Sequence, residues 1–338
     1  MANYHMPAEW APHTATWLSW PHNADTWGNK LEGAELTFAK MVEVLTPYEK
    51  VNINVKNEAM KNRAMSYIND TKAIISQIKF YFHSTNDNWC RDHGPIYVKD
   101  DKGNKAITNW EYNSWGGKYP PFDDDNSIPK LIANAQDIQT LDTNMVLEGG
   151  SIDVNGEGTL ITTKSCLLHK NRNPHFTIND IEAHLSRYLG AKKILWLEEG
   201  IAGDDTDGHI DDITRFVNAH TIVTAIEDDT KDANYDTLLH NFELMKTWQG
   251  ANRENFKIVQ LPMPEPVVTD GLRLPASYAN FYIANQTVLV PIFGSKRDKL
   301  ALDILQTEFN SRKVIGIDCR TLVWGLGAIH CCTQQEPL

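Results

Sequence analysis

The chain has 338 residues, with 44 acidic side chains against 32 basic ones and a formal charge of −12. That balance disfavours nucleic acid as a partner, because phosphates demand lysine and arginine, and it suits the capture of a small cation. The 10 Trp, 11 Tyr and 11 Phe are ample for a packed core, and the most apolar run, 288–293, is far shorter than a membrane span and is broken by Pro291, so no membrane association is expected.

At the N-terminus, Met1-Ala2-Asn3-Tyr4-His5-Met6-Pro7 has neither the basic cluster nor the apolar stretch of a secretory signal. The cysteines at 90, 166, 319, 331 and 332 are odd in number and include no C-x-x-C pair. Both observations fit a cytoplasmic protein without a disulfide framework or a structural zinc site.

Along the chain, Thr16-Trp17-Leu18-Ser19-Trp20 reads as a strand leading into helices near 34–47 and 57–69. Ile96-Tyr97-Val98 then turns at Lys102-Gly103-Asn104 towards Ile107, with a helical piece near 127–135. From 151 to 163 apolar alternation flanks Asn155-Gly156, the pattern of a hairpin. Thr177-Ile178-Asn179-Asp180 opens a helix as a capping box, Gly190 closes it, and Ile194-Leu195-Trp196-Leu197 reads as a strand. The order recurs with a hairpin turning at Asn218-Ala219-His220, a helix near 232–248 and a strand at 257–261. It recurs again with a hairpin turning at Ala284-Asn285, a helix near 296–308 and a strand at 314–317. Five copies of hairpin, helix and strand fill the chain without a linker. A unit that cannot bury its own face implies repetition within one domain, here 1–338, arranged as a five-bladed α/β propeller. The alternative is a doubly wound α/β sheet, to which a hairpin inside every unit is foreign.

Chemistry-bearing residues sit in one slot of this repeat, just ahead of a hairpin. Trp89-Cys90-Arg91-Asp92 precedes Ile96, Leu147-Glu148-Gly149-Gly150 precedes the hairpin at 151, and Gly203-Asp204-Asp205-Thr206-Asp207-Gly208-His209-Ile210-Asp211 precedes that at 213. Gly325-Leu326-Gly327-Ala328-Ile329-His330-Cys331-Cys332 follows the last strand, where another unit would begin. In a radial repeat, Asp92, Glu148, His209, Asp211 and Cys331 converge. If these stretches are extended, His209 and Asp211 share a face and only one of Cys331 and Cys332 points into the site. Two carboxylates, Asp92 and Asp211, suit a planar guanidinium. A thiolate attacks its carbon, His209 moves protons and Glu148 orients His209. Each motif alone has a plainer reading: a solvated acidic turn, a glycine turn before a strand, a structural ion pair at Arg91 and Asp92, and a buried cysteine.

Taken together, these residues resemble the agmatine deiminase and bacterial-type peptidyl-arginine deiminase family, among the guanidine-modifying enzymes built as five-bladed α/β propellers. The resemblance rests on Met6-Pro7-Ala8-Glu9-Trp10, Trp17-Leu18-Ser19-Trp20-Pro21, Trp89-x-Arg91-Asp92-x-Gly94-Pro95 and Leu147-Glu148-Gly149-Gly150. It continues through the stretch from Gly203 to Asp211, Leu274-Pro275-Ala276-Ser277-Tyr278-x-Asn280-Phe281-Tyr282, and Gly327-x-x-His330-Cys331-x-Thr333-Gln334-Gln335. It implies deimination of agmatine with Cys331 as nucleophile, Asp92 and Asp211 gripping the guanidinium, and His209 with Glu148 handling protons. It also implies that Asp205 faces the distal amine, that Trp89 walls the pocket, and that no metal or organic cofactor takes part. Free or peptidyl arginine is the near alternative substrate. A manganese amidinohydrolase releasing urea and a non-catalytic guanidine-binding protein are the more distant readings. The sequence does not set the oligomeric state, and a homo-oligomer stays open.

Overall fold

The structure, a computed structural model, describes residues 3–338. The hairpin around Asn155-Gly156 shows how one repeat unit is built. Strands Ile152–Val154 and Thr159–Thr163 pair antiparallel. Asn155 Oδ1 accepts from the N–H groups of Glu157 and Thr159, and Gly156 adopts φ of 74°, which a side chain would disfavour. Helix Ile178–Leu189 follows, with the expected capping box between Thr177 and Asp180 and Gly190 in the left-handed conformation at its end. Its buried stripe, Ile181, Leu185 and Leu189, has the spacing of one helix face. Strand Lys193–Leu197 then returns parallel to Thr159–Thr163.

Three more sheets repeat this order of antiparallel hairpin, helix and parallel strand. One uses Ile96–Asp100, Lys105–Glu111 and Gln139–Val146 around helix Asp123–Gln136. Another uses Thr214–Asn218, Thr221–Ile226 and Lys257–Pro262 around helix Tyr235–Met245. A third uses Tyr282–Ile283, Thr287–Ile292 and Lys313–Asp318 around helix Asp298–Glu308. The 232–248 helix is shorter than its pattern predicts because Asp232 accepts from the N–H of Asn234 and pairs with Arg273 instead of joining the helix.

The remaining sheet joins the two ends of the chain. Gln334–Pro337 pairs antiparallel with His13–Ser19, which runs parallel to Lys50–Asn54 and, beyond it, Ile78–Tyr81. Trp17 Nε1 donates to Glu336 Oε2 at 3.0 Å across this seam. The N-terminal copy therefore lacks a hairpin of its own and borrows a strand from the far end of the sequence. No sheet among the described residues closes on itself, and no helix among them is long and apolar enough to cross a membrane.

Ahead of three of the hairpins, and ahead of the last strand, the chain makes a short helical turn: Cys90–His93, Gly149–Ser151, Ile210–Asp212 and His330–Cys332. The first packs against the second and the fourth, and the second against the third. This corrects the extended geometry expected for these stretches. Bonds such as Ile213 N–H to Ile210 O, 3.0 Å, and Cys332 N–H to Ile329 O, 3.2 Å, wind them, so two-residue alternation does not govern where their side chains point.

Candidate active site

A cavity of about 610 Å³ opens beside these turns, lined by Trp89, Asp92, Cys331, Trp115, Lys118 and Tyr119 among others. Cys331 is 5% exposed, whereas Cys332 is fully buried against Asn88. Asn280 places the sulfur: its Oδ1 accepts from His330 N–H at 2.9 Å while its Nδ2 lies 3.1 Å from Cys331 Sγ and 3.0 Å from Asp212 Oδ1. Cys331 Sγ is 3.8 Å from Asp211 Oδ2. Burial, together with Asp211, Asp212 and Asp92, pushes the Cys331 thiol well above its ordinary range.

Asp92 is fixed by two donors, Gly150 N–H to Oδ1 and Trp115 Nε1–H to Oδ2, both at 2.9 Å. Asp211 Oδ2 accepts from His330 Nδ1 at 2.7 Å, while its Oδ1 is buried with no partner. Burial works against ionisation of Asp211, but His330, His209 and Arg215 outweigh it and hold its pKa below the usual carboxylate value. A Cβ on Gly150 would lie 2.6 Å from His209 Nδ1, 2.7 Å from Asp92 Oδ1 and 3.0 Å from Asp211 Oδ2. Three side chains from two other units thus close around one backbone carbon, which only glycine supplies without a clash.

His209 is fully buried, Nδ1 lies 3.7 Å from Asp92 Oδ1, and neither ring nitrogen has a hydrogen-bond partner. Burial opposes a proton there, yet Asp92, Cys166 and Glu148 lift the His209 pKa well above its ordinary value. Glu148 is equally buried and accepts from Arg172 Nε at 2.6 Å through Oε1, leaving Oε2 unpartnered. The expected bond from Glu148 to His209 is therefore not formed. A Glu148 oxygen and a His209 nitrogen lie within 4.8 Å, and Arg172 holds the carboxylate.

Trp89, 4% exposed, packs at a tilt against Trp27 and so closely on Gly327 that a Cβ there would sit 2.5 Å from its ring. Asp205 stands at the mouth with its side chain 39% exposed, accepting from the Tyr119 hydroxyl and from Lys118 Nζ at 3.3 Å. The structure thus brings Asp92, His209, Asp211, Glu148 and Cys331 together, with Trp89 and Asp205 along the same cavity.

Sequence reasoning passed over several residues. Asn280 occupies the same slot ahead of its hairpin, a signal that was available. Arg172 and Glu9 give no local signal. Glu9 Oε2 meets His330 Nε2 at 2.7 Å, Arg215 Nη2 at 3.0 Å and Arg91 Nη2 at 3.3 Å. Among the described residues, three sets of side chains offer metal-type ligand atoms within 4.8 Å: Glu148 with Cys166 and His209, Asp211 with Asp212 and Cys331, and Glu157 with His220 and Glu254 at the surface. In the first, Arg172 occupies the carboxylate; in the second, Asn280 donates towards both Asp212 and the sulfur.

The sequence model of the Porphyromonas-type peptidyl-arginine deiminase family matches residues 5–337. The agmatine deiminase of Medicago truncatula is 37% identical over 367 residues, spanning 99% of this chain and 96% of that protein. Among solved structures, the agmatine deiminase of Enterococcus faecalis superposes with a TM-score of 0.92 at 31% identity, covering 99% of this chain and 96% of that one. A Cys-to-Ser variant of C. jejuni agmatine deiminase with substrate bound gives 0.88 at 30% identity, over 98% and 96%. Matched almost from end to end in sequence and in fold, the chain belongs to the Porphyromonas-type peptidyl-arginine deiminase family.

Proposed function

We propose that this protein hydrolyses agmatine to N-carbamoylputrescine and ammonia through a covalent intermediate on Cys331. The observation that carries the reading is the placement of Cys331 Sγ 3.8 Å from Asp211 Oδ2, in a cavity that Asp92 also lines. A guanidinium gripped by these two carboxylates presents its carbon to the sulfur. The same cation offsets the anions that raise the Cys331 pKa, so substrate binding itself favours the thiolate, the thiol proton leaving to bulk water.

The sulfur forms a bond to the guanidinium carbon. His209, carrying the proton that its carboxylate neighbours favour, donates it to one terminal nitrogen, and that carbon–nitrogen bond breaks to release ammonia. An amidino-thioether remains. The now neutral His209 takes a proton from water as the water oxygen adds to the same carbon, and collapse expels the thiolate and leaves the urea group of the product. Glu148, held in place by Arg172, stabilises the imidazolium in each half-reaction. Asp205 receives the distal ammonium and Trp89 walls the cavity against water.

The fold reading that goes with this is a single catalytic domain, 1–338, in which the five sheets are the blades of an α/β propeller and the turns ahead of the hairpins face its axis. The matching order of four sheets, the completion of a fifth by a strand from the other end of the chain, and the packing of the turns on one another support it. Five free, buried cysteines support a cytoplasmic location.

The test is product analysis with agmatine, arginine and a peptidyl arginine, with and without a chelator. Ammonia and N-carbamoylputrescine from agmatine, unaffected by chelation and lost in Cys331→Ser, are expected. Urea as the product, or faster turnover of arginine or the peptide, overturns the assignment.

A further inference from the structure

Lys118 is not accounted for by the chemistry at Cys331. Its Nζ donates to the backbone carbonyl of Asp205 at 2.5 Å, to Asp207 Oδ1 at 2.9 Å and to Asp205 Oδ1 at 3.3 Å. It lines the cavity and remains 27% exposed. Its position is set mainly by the carbonyl and by Asp207, whose other oxygen is held by Arg172 at 2.8 Å and Asn171 at 3.0 Å. The contact to Asp205 Oδ1 is the longest of the three, and Asp205 Oδ2 accepts from the neutral Tyr119 hydroxyl. The mouth of the cavity therefore presents a half-exposed carboxylate and an ammonium side by side.

We infer that Lys118 is the specificity-determining residue for the tail of the substrate, weighting the site towards a tail that carries a carboxylate beside its ammonium. The inference rests on the deiminase reading above and extends it. Agmatine ends in an ammonium alone: Asp205 attracts it, and Lys118, a like charge, repels it. Arginine carries an ammonium and a carboxylate on one carbon, so each finds a partner of opposite sign at Asp205 and Lys118. The lysine thus narrows the preference for agmatine that Asp205 alone would give.

The experiment compares wild type with Lys118→Met, Lys118→Gln and Lys118→Arg, using agmatine and arginine as substrates. Arginine is also read as a competitive inhibitor of agmatine turnover, which gives its affinity whether or not it is turned over. Loss of the neutral variants' clasp on the 203–208 loop alters both substrates alike, so the ratio of the two kcat/KM values, or of KM to the inhibition constant, reports the charge. That ratio shifts towards agmatine by about fivefold or more in both neutral variants, mostly through KM, the size expected of one charge at a half-exposed site. Lys118→Arg holds it near the wild-type value. An unchanged ratio in both neutral variants, a shift towards arginine, or no measurable arginine binding in any form overturns the inference. Absence of ammonia release by the wild type from either substrate overturns the proposed function instead.

Discussion

Cys331 illustrates how a residue's chemistry depends on neighbours that its own sequence does not reveal. A thiol ordinarily titrates near 8.5, but here burial and three carboxylates hold the proton on. Carbamidomethylation of Cys331 in the free protein is therefore slow at neutral pH and accelerates only above the usual thiol range. Asp211→Asn removes one of the anions, so the inflection moves to lower pH; mass mapping of the labelled peptide against pH measures it. Gly150 offers a second residue-scale test. Gly150→Ala thrusts a methyl between His209, Asp92 and Asp211. Its kcat/KM falls by about 100-fold, the cost of an ångström-scale misplacement of reacting groups, while circular dichroism stays native. The ionisable members of the site were legible because they fall in one slot of a repeat. Arg172 and Glu9 were not, since what marks them is a partner far along the chain: Glu148 in one case, Arg91, Arg215 and His330 in the other.

Among the elements, the four short turns matter most, and their winding was not readable. Runs of three or four residues carry no periodicity. The first is tied to the helix that follows it in the chain. His93 Nδ1 lies 3.2 Å from Asp125 Oδ1, and Asp125 sits in the first turn of Asp123–Gln136, where its charge also suits the helix dipole. Burial disfavours the His93 proton, but Asp125 outweighs it and raises the pKa from 6.5 to about 10. A raised folded-state pKa stabilises fully below the unfolded value and ceases to as pH rises through the folded one. The difference in melting temperature between wild type and Asp125→Asn is thus largest below about pH 6.5 and shrinks towards pH 10; a difference that grows across this range contradicts the pairing. At the cavity wall, Asp87 behaves oppositely: burial raises it to about 6, opposed by the Thr26 hydroxyl and the Asn88 N–H. Its charge appears as pH rises through that value, beside Asp125 and His22, so KM for a cationic substrate falls over the same interval in wild type and not in Asp87→Asn.

Taken whole, the molecule is a repeat whose ends are sewn together. Four units were legible because their hairpins, helices and strands follow one another locally, with Asn155-Gly156 and the Thr177 capping box as markers. The remaining unit was read only in part, because its antiparallel strand, Gln334–Pro337, comes from the opposite end of the chain, and pairing between distant segments leaves no pattern in either. Glu9, near the N-terminus, performs a similar joining role in the interior. Burial opposes its ionisation, yet Arg215, His330 and Arg91 hold its pKa well below the ordinary carboxylate value. Glu9→Gln leaves buried guanidinium groups short of an anion and destabilises the fold by about 3 kcal/mol or more, read from urea unfolding. Its stabilisation persists above the unfolded carboxylate pKa and is lost only as pH falls through the depressed folded one.

The most direct measurement is intact-mass analysis of protein quenched in acid during agmatine turnover, for wild type and His209→Ala, with peptide mapping of any adduct. A mass increase equal to agmatine less ammonia, located on Cys331 and absent from Cys331→Ser, is the predicted result. An adduct on Cys332 or Cys166, or steady ammonia release with every cysteine unmodified, would contradict it.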